Sequence, residues 1–153
     1  MAEECARQFS QAPIPLMAGA DRLVRHLHRC RVPIAIATST KRVNFDLKTA
    51  HHADFFNLFS HAVITPEDEE VTRGKPDPQP FLVCAKRFKY PPARAASVLV
   101  FEDSVAGIKA ANAAGMRSIW VPDSRTPTDA VAATLTLASL EDFCPEEFGL
   151  PPY

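Results

Sequence analysis

The chain has 153 residues, of which 46% are hydrophobic, and a formal net charge of −1. That length and apolar content suit one domain with a real core, and the near-zero charge without a basic run argues against a sequence-independent nucleic-acid binder. No apolar run reaches membrane-spanning length, and the first residues lack the basic-then-apolar order of a signal peptide.

Residues 1–12 read as the tail of a helix with no partner in this sequence. Gly19 to Cys30 carries Leu23, Val24 and Leu27 at helical spacing. Arg31 to Pro33 breaks that helix, and Ile34 to Ala37 (IAIA) follows as a short buried strand. Thr38, Ser39, Thr40 and Lys41 then open a helix that runs to Ala50. Phe55, Phe56, Leu58 and Phe59 cluster ahead of a second strand, His61 to Ile64, and a charged loop, Pro66 to Gly74, leads to Lys75.

Asp77 is placed as a helix N-cap with Pro78 in the first turn. The buried face of that helix is read as Phe81, Leu82, Ala85 and Phe88. Ser97 to Phe101 makes a third strand, and Val105 to Ala114 a helix stopped by Gly115. Arg117 to Val121 is a fourth strand and Thr134 to Leu137 a short fifth. Strands alternating with helices predict right-handed βαβ units, hence an α/β fold with a mainly parallel sheet. Cys5, Cys30, Cys84 and Cys144 lie far apart with no CxxC spacing, which predicts reduced thiols in a cytoplasmic protein.

Three groups of polar residues follow strands, where open α/β sheets bind ligands. The first is Thr38-Ser39-Thr40-Lys41, whose hydroxyls and amides at a helix start suit an anion but equally suit a helix cap. The second is Lys75 in Gly74-Lys75-Pro76-Asp77-Pro78, a lysine on a loop stiffened by prolines; taken alone it reads as a solvated surface lysine. The third is Glu102-Asp103, at the end of the run VLVF. Two carboxylates there suit Mg²⁺, while Asp103 or Ser104 could simply cap the following helix. Together the three place hydroxyls, a fixed cation and a metal-type carboxylate pair on one rim, the set that phosphoryl transfer requires.

In this order the motifs resemble those of the haloacid dehalogenase-like hydrolases. The similarity runs from about Leu16 to the C-terminus through FFNLFSHAVI, GKPDPQPFLVCAKRF, VLVFEDSVAGIKAANAAGM and SLEDFCPEEFGLPPY. It implies a Rossmann-like, three-layer core and a phosphatase that takes a small phosphorylated metabolite, with Mg²⁺ as cofactor. By the same resemblance Thr38, with Ser39 and Thr40, binds the phosphoryl group. Lys75 steadies the nucleophile and the phosphate, and Glu102 and Asp103 hold the metal. A monomer is expected, with no nucleic-acid or membrane partner.

The family's first motif, DxDx[TV], which supplies the aspartate nucleophile and the general acid/base, is absent from this sequence. Glu67-Asp68-Glu69-Glu70 has the wrong order and reads as a solvated loop. Asp123 lacks a second Asp two residues on. The chain is therefore read as residues 1–13, a remnant of a cap-domain helix, and residues 14–153, a core missing its first, central strand. Two strand edges should then face a gap. Negligible turnover is expected of the chain alone. A non-catalytic module that binds phosphate, metal or a partner protein is the alternative, and a phosphomutase a more distant one. His26, His28, His51, His52 and His61 are assigned to packing or surface rather than chemistry, and Trp120 to the core.

Overall fold

Alternation along the strands sorts their side chains onto two faces. In the computed structural model, which describes residues 13–153, five strands form: β1 (Ile36–Thr38), β2 (Ala62–Ile64), β3 (Leu99–Glu102), β4 (Arg117–Trp120) and β5 (Leu135–Thr136). In β3, Val100 packs with Phe81, Ala110, Ala111 and Met116 on one face, while Leu99 and Phe101 turn to Leu23, Leu27, Ile119 and Phe143 on the other. Those two clusters are the two sides of a helix–sheet–helix sandwich, as period-two strands between amphipathic helices require.

The helices are α1 (Ala20–Arg29), α2 (Arg42–Thr49), α3 (Ala53–Phe56), α4 (Gln79–Lys86) and α5 (Val105–Ala113). Helix α1 contributes Leu23 and Leu27 to one face, and α4 and α5 contribute Phe81, Ala85 and Ala110 to the other. Gly115, at φ 72°, ends α5 in the left-handed conformation that a C-terminal glycine supplies. Among the described residues, no helix is long and apolar enough to cross a membrane.

All strand pairs are parallel, but they form two ladders. β1 pairs with β2, Ile36 opposite Ala62 and Thr38 opposite Ile64. β3, β4 and β5 make the other, with Glu102 opposite Trp120. Among the described residues no strand joins the two ladders. Among the described residues, β1 and β3 each therefore have one edge without a strand partner. No residue of β1 is fully buried, whereas Val63 and Ile64 in β2 and Ile119 and Trp120 in β4 are. In a fully flanked parallel sheet, inner strands are the most buried; here the inner pair is not.

Several details depart from the sequence reading. The first strand begins at Ile36 and ends on Thr38, so Thr38 belongs to the strand rather than to the helix start. Leu82 is 46% exposed rather than part of the buried face. It lies about 100° round the helix from Phe81, whereas Cys84 and Ala85, three and four residues on, return to the core side. Helix α4 starts at Gln79 with Pro78 at the cap position, yet Asp77 still caps it: its Oδ1 accepts from the Gln79 amide at 3.0 Å. Apart from Pro13, the cap-helix remnant proposed for residues 1–13 lies outside the described residues.

Candidate functional site

A cavity of about 390 Å³ opens where the ends of β1 and β3 come together, lined by Thr38, Ser39, Thr40, Lys75, Glu102 and Asp103. Every residue singled out from sequence as a phosphate or metal contact is therefore on one wall or another of the same cleft. Met17, Val121, Leu140 and Ser104 also reach it. The first three were missed by sequence reading, because nothing local marks an apolar residue as facing a polar cleft.

The lysine is not solvated. Its side chain is 9% exposed, and its Nζ donates to the Ala37 carbonyl at 3.0 Å and to Glu102 Oε1 in a very short contact. The ammonium also lies 4.6 Å from the centre of the Phe81 ring, an additional favourable environment for a cation. One charged group thus ties the middle residue of β1 in one ladder to the last residue of β3 in the other. The loop that presents it is firmly held: Gln79 Oε1 accepts from the Thr72 and Arg73 amides and from the Thr72 hydroxyl, and Asp77 pairs with Arg73 at 3.1 Å.

Glu67, Glu69 and Glu70 are exposed and Asp68 half-buried, in keeping with a solvated loop, but the loop is also pinned by distant partners. Asp68 and Glu70 both engage Arg87, Glu70 also engages Lys86, and Glu67 Oε1 accepts from the Arg42 amide at the start of α2. These partners lie 16 to 25 residues away in sequence, so no local pattern announces them.

The helix-cap role falls to Ser104 rather than to Asp103. Ser104 is the N-cap of α5, and its Oγ accepts from the Gly107 amide at 3.0 Å. Ser104 Oγ in turn donates to Glu102 Oε2 at 2.9 Å. The Asp103 carboxylate is exposed and makes no hydrogen bond or ion pair among the described residues, while its carbonyl accepts from the fully buried Trp120 indole at 3.0 Å. Trp120 is thus core, as read, and also fixes the backbone beside the acidic pair. At the other side, the Thr38 hydroxyl accepts from the Thr40 amide at 3.1 Å, turning the chain before α2 rather than capping it.

The donors suit a hard cation, since carboxylate oxygens are what Mg²⁺ takes, with water and phosphate completing the shell. Among the described residues no group of three or more His, Cys, Asp or Glu could hold a metal. The histidines lie elsewhere: His26, His28, His52 and His61 each donate to a backbone carbonyl, of Pro151, Leu58, Ile14 and Cys84. Asp123 faces Arg125, which holds its carboxyl down at about 2.

A haloacid dehalogenase-like hydrolase family model matches residues 1–115. The chain belongs to this family. It is 51% identical over 139 residues to a probable pseudouridine-5′-phosphatase of Drosophila melanogaster, covering 90% of this chain and 60% of the relative. It is 48% identical over 139 residues to a (DL)-glycerol-3-phosphatase of Arabidopsis thaliana, covering 90% and 58%. Among solved structures, CbbY from Rhodobacter sphaeroides in complex with phosphate aligns with a TM-score of 0.74 at 25% identity, over 92% of this chain and 61% of that one. The chain thus spans about three-fifths of the length of these relatives.

Proposed function

We propose that this chain carries the phosphate-binding and metal-binding rim of a phosphatase for small phosphomonoesters, with pseudouridine 5′-phosphate as the substrate of the complete enzyme. The observation that carries this reading is the meeting of Thr38, Lys75, Glu102 and Asp103 around one cavity. The Thr38 hydroxyl and the amides that follow it receive phosphoryl oxygens, and the Lys75 ammonium supplies a fixed positive charge beside them. Asp103, with Glu102, would hold Mg²⁺, which when bound offsets the negative charge of the phosphoryl group. The 51% identity to a probable pseudouridine-5′-phosphatase supports that substrate, and the 48% identity to a glycerol-3-phosphatase makes glycerol 3-phosphate the competitor. The free thiols of Cys30, Cys84 and Cys144 support a cytoplasmic location.

The sequence holds no DxDx[TV] motif, so these residues bind and orient a phosphoryl group without a nucleophile to attack it. The purified chain is expected to bind orthophosphate in a ³¹P NMR titration with Mg²⁺ present, more weakly after Thr38→Ala, and to release no phosphate from p-nitrophenyl phosphate. Saturable binding of equal strength in Thr38→Ala would overturn the assigned rim. Mg²⁺-dependent phosphate release would show that a nucleophile is present after all.

A further inference from the structure

Gly107 is the third residue of α5, in an otherwise alanine-rich helix. Glycine there weakens a helix relative to alanine, so its presence needs a reason. A Cβ built on Gly107 would overlap Glu102: its three nearest atoms are Cδ and both carboxylate oxygens of that side chain, well inside the 3.0 Å that real Cβ atoms keep. In a capping box, the third helical position supplies a Glu whose carboxylate folds back over the N-terminus. Here Ser104 caps in the usual way, but the carboxylate comes from Glu102, two residues before the cap, and occupies the space that a side chain at position 107 would take.

We propose that Gly107 is a positioning residue: by lacking a side chain it lets the Glu102 carboxylate lie on the first turn of α5, where it meets Lys75. Three contacts then fix that carboxylate, namely the Ser104 hydroxyl on Oε2, the Lys75 ammonium on Oε1, and the bare backbone of Gly107 beneath it. Its placement at a helix N-terminus adds a favourable dipole. Glu102 is thereby aimed at the lysine, and the Asp103 carboxylate is left open to the cleft. The assignment deepens the phosphate-rim reading and rests on it for its functional meaning, although the geometry stands apart from it.

The test compares wild type, Gly107→Ala, Glu102→Ala and the double variant. A helical glycine with no positioning role predicts a higher thermal midpoint with alanine in both backgrounds. The positioning role predicts opposite signs: Gly107→Ala lowers the midpoint by roughly 5 °C or more when Glu102 is present, and raises it when residue 102 is alanine. Should Gly107→Ala fail to fold, that failure is itself the loss, and a folded double variant with a midpoint above that of Glu102→Ala completes the opposite-sign result. A shift of equal sign in both backgrounds overturns the proposal. The Lys75 ammonium signal in ¹H–¹⁵N NMR, protected by Glu102 and the Ala37 carbonyl in wild type, is expected to be lost in Gly107→Ala. Its persistence there would also overturn the assignment. Adding orthophosphate separates the two readings: no movement of that signal, with the opposite-sign result intact, sinks the phosphate rim and leaves Gly107 as assigned.

Discussion

Lys75 and Glu102 form an ion pair in which both side chains are more than nine-tenths buried, across a boundary that no backbone ladder crosses among the described residues. The pair holds the candidate site together and also joins the two halves of the sheet layer.

Removing one partner strands the other charge. Lys75→Met is expected to destabilise the fold by about 3 kcal/mol, because a buried carboxylate then lacks its counter-charge. The double variant with Glu102→Gln should lose less than the sum of the singles, by about 1 kcal/mol or more. Urea unfolding of the four proteins reads both numbers. Strict additivity would mean the two side chains do not interact.

Acid should weaken the loop that leads to Lys75. Hydrogen bonds from the Arg87 guanidinium hold the Asp68 carboxyl below its usual range, against the opposing effect of burial. A folded value below the unfolded one, about 3.9, means the unfolded state binds more protons in that window. The stabilisation is therefore complete above about pH 5 and drains as pH falls through about 4 towards the lower folded value. In denaturant titrations between about pH 2.5 and 6, the gap between wild type and Asp68→Asn should shrink steadily on the acid side. A gap that stays constant with pH would rule out the Arg87 pairing as its source.

Thiol reactivity should separate the cysteines. Burial pushes the Cys84 thiol up to about 11, with its Sγ 3.6 Å from His61 Nε2 and packed near Val63 and Val83. Cys30 and Cys144 are exposed. At pH 8 a disulfide reagent should label Cys84 about a hundredfold more slowly than those two, and at the common rate once urea unfolds the chain. Peptide mapping by mass spectrometry identifies the labelled positions. Rapid native labelling of Cys84 would mean that α4 does not pack on the sheet as described.

Much of this was legible in the sequence because the governing signals are local. VLVF before Glu102, IAIA before Thr38 and the glycine after α5 marked the strands and the helix that line the cavity, since burial pattern and helix stops act over a few residues. What escaped depends on long-range geometry. Lys75 reads as a surface residue until Ala37 and Glu102, 38 and 27 residues away, are brought to it. Leu82 looks like core until the helix phase is set by Phe81, Cys84 and Ala85. Gly107 passes as an ordinary helix residue until Glu102 is folded back across it.

Two ladders that share no rungs among the described residues also make two units of stability. β1 and β2 can part from β3, β4 and β5 without breaking a strand-to-strand hydrogen bond. What resists is side-chain matter: the lysine bridge, Ala37 resting on the Val100 cluster, and α4, whose Phe81 and Ala85 join that cluster while its Val83 and Cys84 pack with Val63. Amide exchange at Val63 should then report a shallower opening than at Ile119, although both side chains are equally hidden from solvent. A protease that cuts the opened form should find the smaller half first, and the lysine bridge is one of the contacts it must outwait.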